Sequence, residues 1–277
     1  MNKSIIKRLT TTIIVVLLIA LAIAFLYPLF FLLINSLKDR IGYLKDPLGL
    51  PKELNFENYI SLFKSFGLMK YVGNSMIICV VSIGLTLCIS VFAAYAFARL
   101  RFSGKNSIYL TMMSTMIFPA QVTMIPLFVM FSKMGLTDSR LGLILVTTAS
   151  LVPGTILLLR SNFFSIPKEM FEAARLDGAG YFGVVWNVLV PMAAPSIAIS
   201  SVFNFLAVFN DMFRPMILIS SSEKKTLAVA LSSFVNQRAS NITFVFAGMF
   251  VSAMLTLIVY LIFSKYIVKG LTVGSVK

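Results

Sequence analysis

Across 277 residues the chain is 58% hydrophobic and only 12% charged, far too apolar for a soluble domain of this length and in keeping with an integral membrane protein. Its formal charge of +14 does not imply nucleic acid, because Lys and Arg are scattered at the ends of apolar runs and form no single basic stripe; cytoplasmic loops and lipid headgroups account for them. The absence of histidine excludes His-based acid–base chemistry and the commonest metal ligand.

A membrane-crossing helix needs about 20 mostly apolar residues, and six runs meet that length: Thr11 to Asn35, Tyr71 to Ala98, Ile108 to Phe131, Leu141 to Leu159, Pro191 to Ser220 and Phe244 to Ser264. An all-α membrane protein with six transmembrane helices is the expected fold, organised as one domain over 1–277 with core spans over about 71–265. The first run follows Lys3, Lys7 and Arg8 and mimics a secretory signal. It is longer than an ordinary signal h-region and no small-residue cleavage site follows, so residues 11–35 are read as a retained anchor helix.

Ser36 to Lys70 is the longest polar connection, turn-rich through Gly42, Pro47, Gly49 and Pro51; within it, Asn58 to Phe63 has the pattern of a short amphipathic helix. In the second span, Cys79 and Cys88 are separated by about 13 Å of helical rise, too far for a disulfide, and read as buried packing thiols. Asn74 and Ser75 near its start suit backbone capping better than solute contact.

Polar groups inside spans are costly in lipid and turn toward a cavity or a partner. Gln121 and Thr123 lie between Pro119 and Pro126 in the third span, where the prolines release backbone groups that need new partners. Asn204, Asn210 and Asp211 occupy the fifth span and its end. Helix-to-helix contact and contact with a hydroxylated solute account for these five residues equally well. Phe203, Phe205 and Phe209 are further candidates for such a path.

Between the fourth and fifth spans, Ile166 to Pro195 interrupts the apolar pattern with IPKEMFEAARLDGAGYFGVVWNVLVPMAAP. Pro167 suits the first helical position, Glu169 and Glu172 the positive N-terminal end, and Gly178 a left-handed cap. At about 100° per residue, Lys168, Glu169, Glu172 and Arg175 share one face, and Met170, Phe171, Ala173 and Ala174 the other; Leu176 falls on the charged side. A charged amphipathic helix in such a chain requires a partner outside the lipid. Its polar face is mixed in sign, unlike the basic faces that bind headgroups, so a protein groove is expected to receive Met170, Phe171 and Ala174. Tyr181 to Val190 then forms an apolar elbow into the next span.

The 24 Lys and Arg residues divide evenly between the two sides, so charge counting alone does not orient the protein. No GxxxxGK[ST] phosphate loop, no G-x-S-x-G elbow and no paired carboxylates within the spans occur. The chain is therefore expected to lack ATPase and other enzymatic activity.

Glu172-Ala173-Ala174, followed by Asp177-Gly178, Gly180 and Leu189-Val190-Pro191, resembles the EAA loop of permease subunits of ATP-binding-cassette (ABC) importers. LNFENYISLF (54–63), AAYAFARLRFSGK (93–105), IPLFVMFSKMGLTDS (125–139), FNDMFRPMIL (209–218) and YIVKGLTVGSVK (266–277) resemble, in order, the smaller permease of the maltose-transporter-like carbohydrate family. Phe209-Asn210-Asp211 departs from the family's Trp-Asn-Glu run, and Arg214 is an unusual cation near a span end. The resemblance implies a type I importer permease fold in a bacterial cytoplasmic membrane, with both termini cytoplasmic. It also implies a second homologous permease, an ATPase dimer that holds ATP and Mg, an extracytoplasmic solute-binding protein and a sugar substrate moved by alternating access. Met170, Phe171, Glu172, Ala173, Ala174, Arg175, Asp177, Gly178 and Gly180 would form the ATPase-coupling segment. Gly270, Leu271, Thr272, Gly274 and Ser275, in a C-terminal tail over 266–277, would contact the ATPase. A permease for a non-sugar solute such as a glycerophosphodiester remains an alternative. An ion-coupled secondary transporter is a further rival, although only Asp211 is available as an intramembrane acid.

Overall fold

The computed structural model describes residues 3–237 and 241–273. Every regular element among them is helical: α1 (Lys3–Ser36), α2 (Arg40–Lys45), α3 (Glu57–Lys64), α4 (Leu68–Arg99), α5 (Lys105–Ser114), α6 (Ala120–Lys133), α7 (Arg140–Ser165), α8 (Lys168–Leu176), α9 (Tyr181–Val184), α10 (Val190–Met192), α11 (Ala194–Phe209), α12 (Phe213–Leu218), α13 (Leu227–Gln237) and α14 (Ile242–Val273), with short 3-10 and π turns between some of them. Four stretches, Thr10–Ser36, Leu68–Arg99, Arg140–Ser165 and Ile242–Ser264, are each long and apolar enough to cross a membrane. Two bent pairs, Lys105–Ile117 with Ala120–Lys133 and Tyr181–Met192 with Ala194–Phe209, bring the number to six where each pair is taken as one span.

The third and fifth spans are both bent. The third turns by 102° at Phe118-Pro119: Pro119 has no N–H to continue the ladder and drives Phe118 out of the helical region, to φ −77° and ψ 123°. The fifth turns by 79° near Ala193, and its straight part ends at Phe209 instead of reaching Ser220. There Asp211 accepts hydrogen bonds from the N–H groups of Phe213 (3.1 Å) and Arg214 (3.4 Å), which starts α12 as a separate short helix packed on α6 and α7.

The chain divides into two compact units, one formed by Met1–Leu68 with Leu231–Leu255, the other by Met69–Ala230 with Thr256–Lys277. In the first, the apolar window of α1 buries nothing inside the chain, as suits a lipid-facing anchor. Its last turn is fixed: Ser36 Oγ pairs with Tyr59 Oη at 2.6 Å, and Asn58 Nδ2 donates to the carbonyls of Ser36 (2.8 Å) and Lys38 (3.1 Å). Asn58 and Leu62 form the buried side of α3, so the amphipathic pattern of 58–63 is realised. The Phe246 ring meets Phe31 and Tyr43 edge-on.

The second unit has its core where α4, α7 and the segment from α8 to α10 meet. Tyr95, Phe163, Ile156, Leu159, Val184 and Leu189 are almost wholly buried there. Cys79 is buried as expected, but Cys88 lies on the exposed face of α4; nine residues is two and a half turns, which places the two thiols on opposite sides of the helix.

Candidate functional site: a seated amphipathic helix and a cleft at the bend

Helix α8 spans nine residues. Pro167 is extended (φ −57°, ψ 141°) and sits just before the helix instead of at its first position. The C-terminal end closes as a Schellman motif: Gly178 takes φ +82°, its N–H reaches the Arg175 carbonyl at 3.0 Å, and the Ala179 N–H reaches that of Ala174 at 2.9 Å.

Phe171 is only 5% exposed and packs against Tyr95, with ring centroids 5.9 Å apart. The Arg99 guanidinium lies over the same ring, and its Nη2 donates to the carbonyls of Phe163 (2.7 Å), Phe164 (3.3 Å) and Ile166. Those carbonyls end α7, where a helix leaves acceptors unsatisfied and favours a cation. One arginine at the end of α4 therefore ties the end of α7 to the first turn of α8. Arg175 Nη2 donates to Tyr95 Oη at 3.3 Å, and Tyr181 Oη to the Phe92 carbonyl at 3.4 Å. Arg160 adds a further tie, with Nε bonded to the Phe97 carbonyl and its guanidinium over the rings of Tyr109 and Phe164.

This seating corrects the expected use of the apolar face. Phe171 is spent inside the chain and Ala174 packs against the same core; only Met170, 46% exposed, remains open. Glu169, Glu172 and Ala173 are exposed with it, and Leu176, at 90% exposure, stands among them. Residues 169, 172, 173 and 176 share one face at i, i+3 and i+4 spacing, so the leucine that spoils the polar stripe is the apolar knob of the free surface. Arg175, Asp177, Gly178 and Gly180 border it and are exposed. Of the tail residues, Gly270, Leu271 and Thr272 continue the backbone of α14, which runs to Val273; Gly274 and Ser275 lie outside the described residues.

The opposite end of α7 is clasped by Asp138, a non-glycine residue at φ +48°. Its Oδ1 accepts from the N–H groups of Ser220 (3.1 Å) and Ser221 (2.9 Å) and from Ser221 Oγ (2.9 Å), while Lys224 Nζ bonds Oδ2 at 3.1 Å. The Ser221 N–H first, then the Lys224 ammonium, hold the Asp138 carboxyl well below the usual carboxylate range. Asn74, read from sequence as a cap, instead joins this clasp. Its Nδ2 donates to the carbonyls of Glu223 and Lys225, both at 2.9 Å, and its Oδ1 accepts from Arg140. Ser75 does cap a helix, but that of α13, through Leu227 N–H at 2.9 Å.

Between these ends, a cleft of about 760 Å³ opens beside the bend of the third span, lined from α4 to α7 and by α12. Its α7 wall, Val146 to Pro153, lies roughly 9 to 20 Å along a helix about 39 Å long. Of the polar residues singled out from sequence, Thr123 lines the cleft. Gln121 is exposed and is not part of the wall. Asn204 pairs with Thr155 across α7 and α11, Nδ2 to Oγ1 at 3.0 Å, a helix-to-helix contact. Asn210 bonds back to the Leu206 carbonyl. Asp211 starts α12 and holds Arg214 at 2.9 Å; it is Arg214 that reaches the cleft wall.

Apolar spans, two of them bent, a cleft beside one bend and a seated amphipathic helix are the features of a multi-span solute permease. The profile of the binding-protein-dependent transport system inner membrane component matches residues 86–273, and the chain belongs to that family. It is 32% identical to the diacetylchitobiose uptake system permease protein NgcG of Streptomyces coelicolor, over 94% of this chain and 86% of that one. It is 31% identical to the arabinooligosaccharides transport system permease protein AraQ of Bacillus subtilis, over 93% and 92%. Among solved structures, a chain of a bacterial ABC transporter that imports the acidic polysaccharide alginate superposes with a TM-score of 0.81 at 27% identity, covering 96% of this chain and 98% of that one.

Proposed function

We propose that the chain is the membrane permease through which an ABC importer carries an oligosaccharide across a bacterial cytoplasmic membrane. It would pair with a second homologous permease above an ATPase dimer. The observation that carries the coupling role is the seating of α8: Arg99 and Phe171 hold the helix rigidly on the ends of α4 and α7, while Leu176 and the acidic face stay open. A chain without a phosphate loop of its own takes mechanical work from another polypeptide through such a handle. ATP and Mg would belong to that partner, and α8, with both termini, would then lie on the cytoplasmic side. Closure of the ATPase dimer would push α8 as a rigid body and rock the spans around the cleft. Solute would arrive on an extracytoplasmic binding protein, and the C-terminal tail, including Gly274 and Ser275, would add contacts to the ATPase. The saccharide names of the diacetylchitobiose and arabinooligosaccharide permeases support a sugar over a glycerophosphodiester.

The test is ATP-driven uptake in proteoliposomes holding both permeases, the ATPase and the binding protein. Glu172→Lys and Gly178→Asp are expected to leave the chain inserted while releasing the ATPase, the first by charge reversal on the docking face, the second because φ +82° disfavours any side chain. Normal co-purification and normal stimulated ATP hydrolysis in both variants would sink the coupling role. Uptake by this chain alone, driven by an ion gradient, would overturn the importer reading.

A further inference from the structure

Among the described residues lining the cleft at the bend, one side chain is charged, Arg214, and a charge lining a cleft between apolar helices marks a solute path or needs a partner. Arg214 has its partner: Nη1 bonds Asp211 Oδ2 at 2.9 Å, and the two side chains are only 24% and 12% exposed. The pair is electrically neutral, and the remaining guanidinium N–H groups bond no other described residue. Three hydroxyls share the wall, and each donates its proton to its own helix: Thr115 to the Met112 carbonyl (2.7 Å), Thr123 to Ala120 (2.9 Å) and Ser150 to Thr147 (2.8 Å). Their oxygens keep acceptor capacity at the wall. Phe118, at the break, adds an exposed aromatic ring.

We infer that Arg214 is a specificity-determining residue that donates hydrogen bonds to the hydroxyl oxygens of an uncharged saccharide in this cleft. The inference rests on the reading of the chain as a saccharide permease. A sugar hydroxyl both donates and accepts, and the wall supplies acceptors from three hydroxyls and donors from one guanidinium, with Phe118 for an apolar sugar face. The carboxylate of a uronate, which only accepts, would face the three hydroxyl acceptors and find the wall's one cation already neutralised by Asp211. Arg214 thus selects for the neutral solute, unlike the acidic polysaccharide that the structurally similar importer carries.

The test uses the complete importer in proteoliposomes, with labelled diacetylchitobiose, arabinotriose and maltotriose as neutral probes and a mannuronate trisaccharide as the acidic one, and reads solute taken up per ATP hydrolysed. Wild type is expected to take up at least one neutral probe in preference to the mannuronate. Arg214→Lys keeps a cation for Asp211 but loses the planar fork of donors; with this variant and with Arg214→Ala, uptake per ATP is expected to fall about tenfold, the scale of one hydrogen bond to a charged group. If Arg214→Lys matches wild type, or lowers ATP hydrolysis and uptake together, Arg214 is structural and the proposal is overturned. Preference for mannuronate overturns it as well. Absence of ATP-driven uptake of every probe by wild type would strike the permease reading itself, and this proposal with it.

Discussion

The Arg99 guanidinium stands 5.0 Å from the centroid of the Phe171 ring while bonding the carbonyls at the end of α7. Two residues 72 positions apart in sequence thereby fix the direction in which α8 leaves the membrane region. Replacing Arg99 with Ala removes the cation from three carbonyls and from the ring face, and should cost about 1.5–3 kcal/mol, the range of hydrogen bonds to charged groups. Arg99→Lys should recover only part, since an ammonium does not reproduce the fork. A lowered melting temperature in detergent and faster protease cleavage within residues 167–180 are the readouts.

Phe171 and Leu176 should separate stability from docking. Phe171→Ala empties a site in the core beneath α8 and is expected to destabilise by about 3–5 kcal/mol. Leu176 is 90% exposed, so Leu176→Ala should leave the melting temperature unchanged while affinity for the ATPase falls. Equal thermal losses in both variants would contradict the burial seen here.

Asp138 gives a pH dependence with a definite sign. Its carboxyl titrates below the ordinary value in the folded protein, so its stabilising contribution is complete above about pH 4, the unfolded value, and is lost as pH falls through the lower folded one. Melting curves of wild type and Asp138→Asn should lie farthest apart near neutrality and converge in the acid range. A gap that widens toward low pH would reverse the assignment.

Asn204 and Thr155 form a buried polar pair between α7 and α11. A double-mutant cycle with Asn204→Leu and Thr155→Val should give a coupling energy of about 0.6 kcal/mol, the average for such pairs between membrane helices. Solute uptake per ATP should not change, because neither residue lines the cleft.

The chain's own pattern determined a great deal. Apolar runs longer than the bilayer thickness, the charged interruption at 166–195, Gly178 as a left-handed cap and the amphipathic turn at 58–63 are local properties, set by composition, periodicity and backbone freedom, and they were legible without contacts. Pro119 announced a disturbance in the third span. Its result, a 102° bend, was not legible, since a proline within a span either kinks it or breaks it according to what packs around it. Facing was also beyond reach. Both α8 faces looked available in the sequence, and only the packing of Tyr95, Arg99 and Phe163 showed that Phe171 is spent internally and that Leu176 stands free. Asp138, Asn74 and Arg214 gave weak or misleading local signals because their partners lie elsewhere in the chain: Asn74 reaches across about 150 residues to the loop near Glu223, and Asp138 across about 80 to Ser221. Periodicity measures what a helix would bury; the tertiary structure alone decides against which neighbour, and so which of the remaining groups are left to meet a solute or a partner.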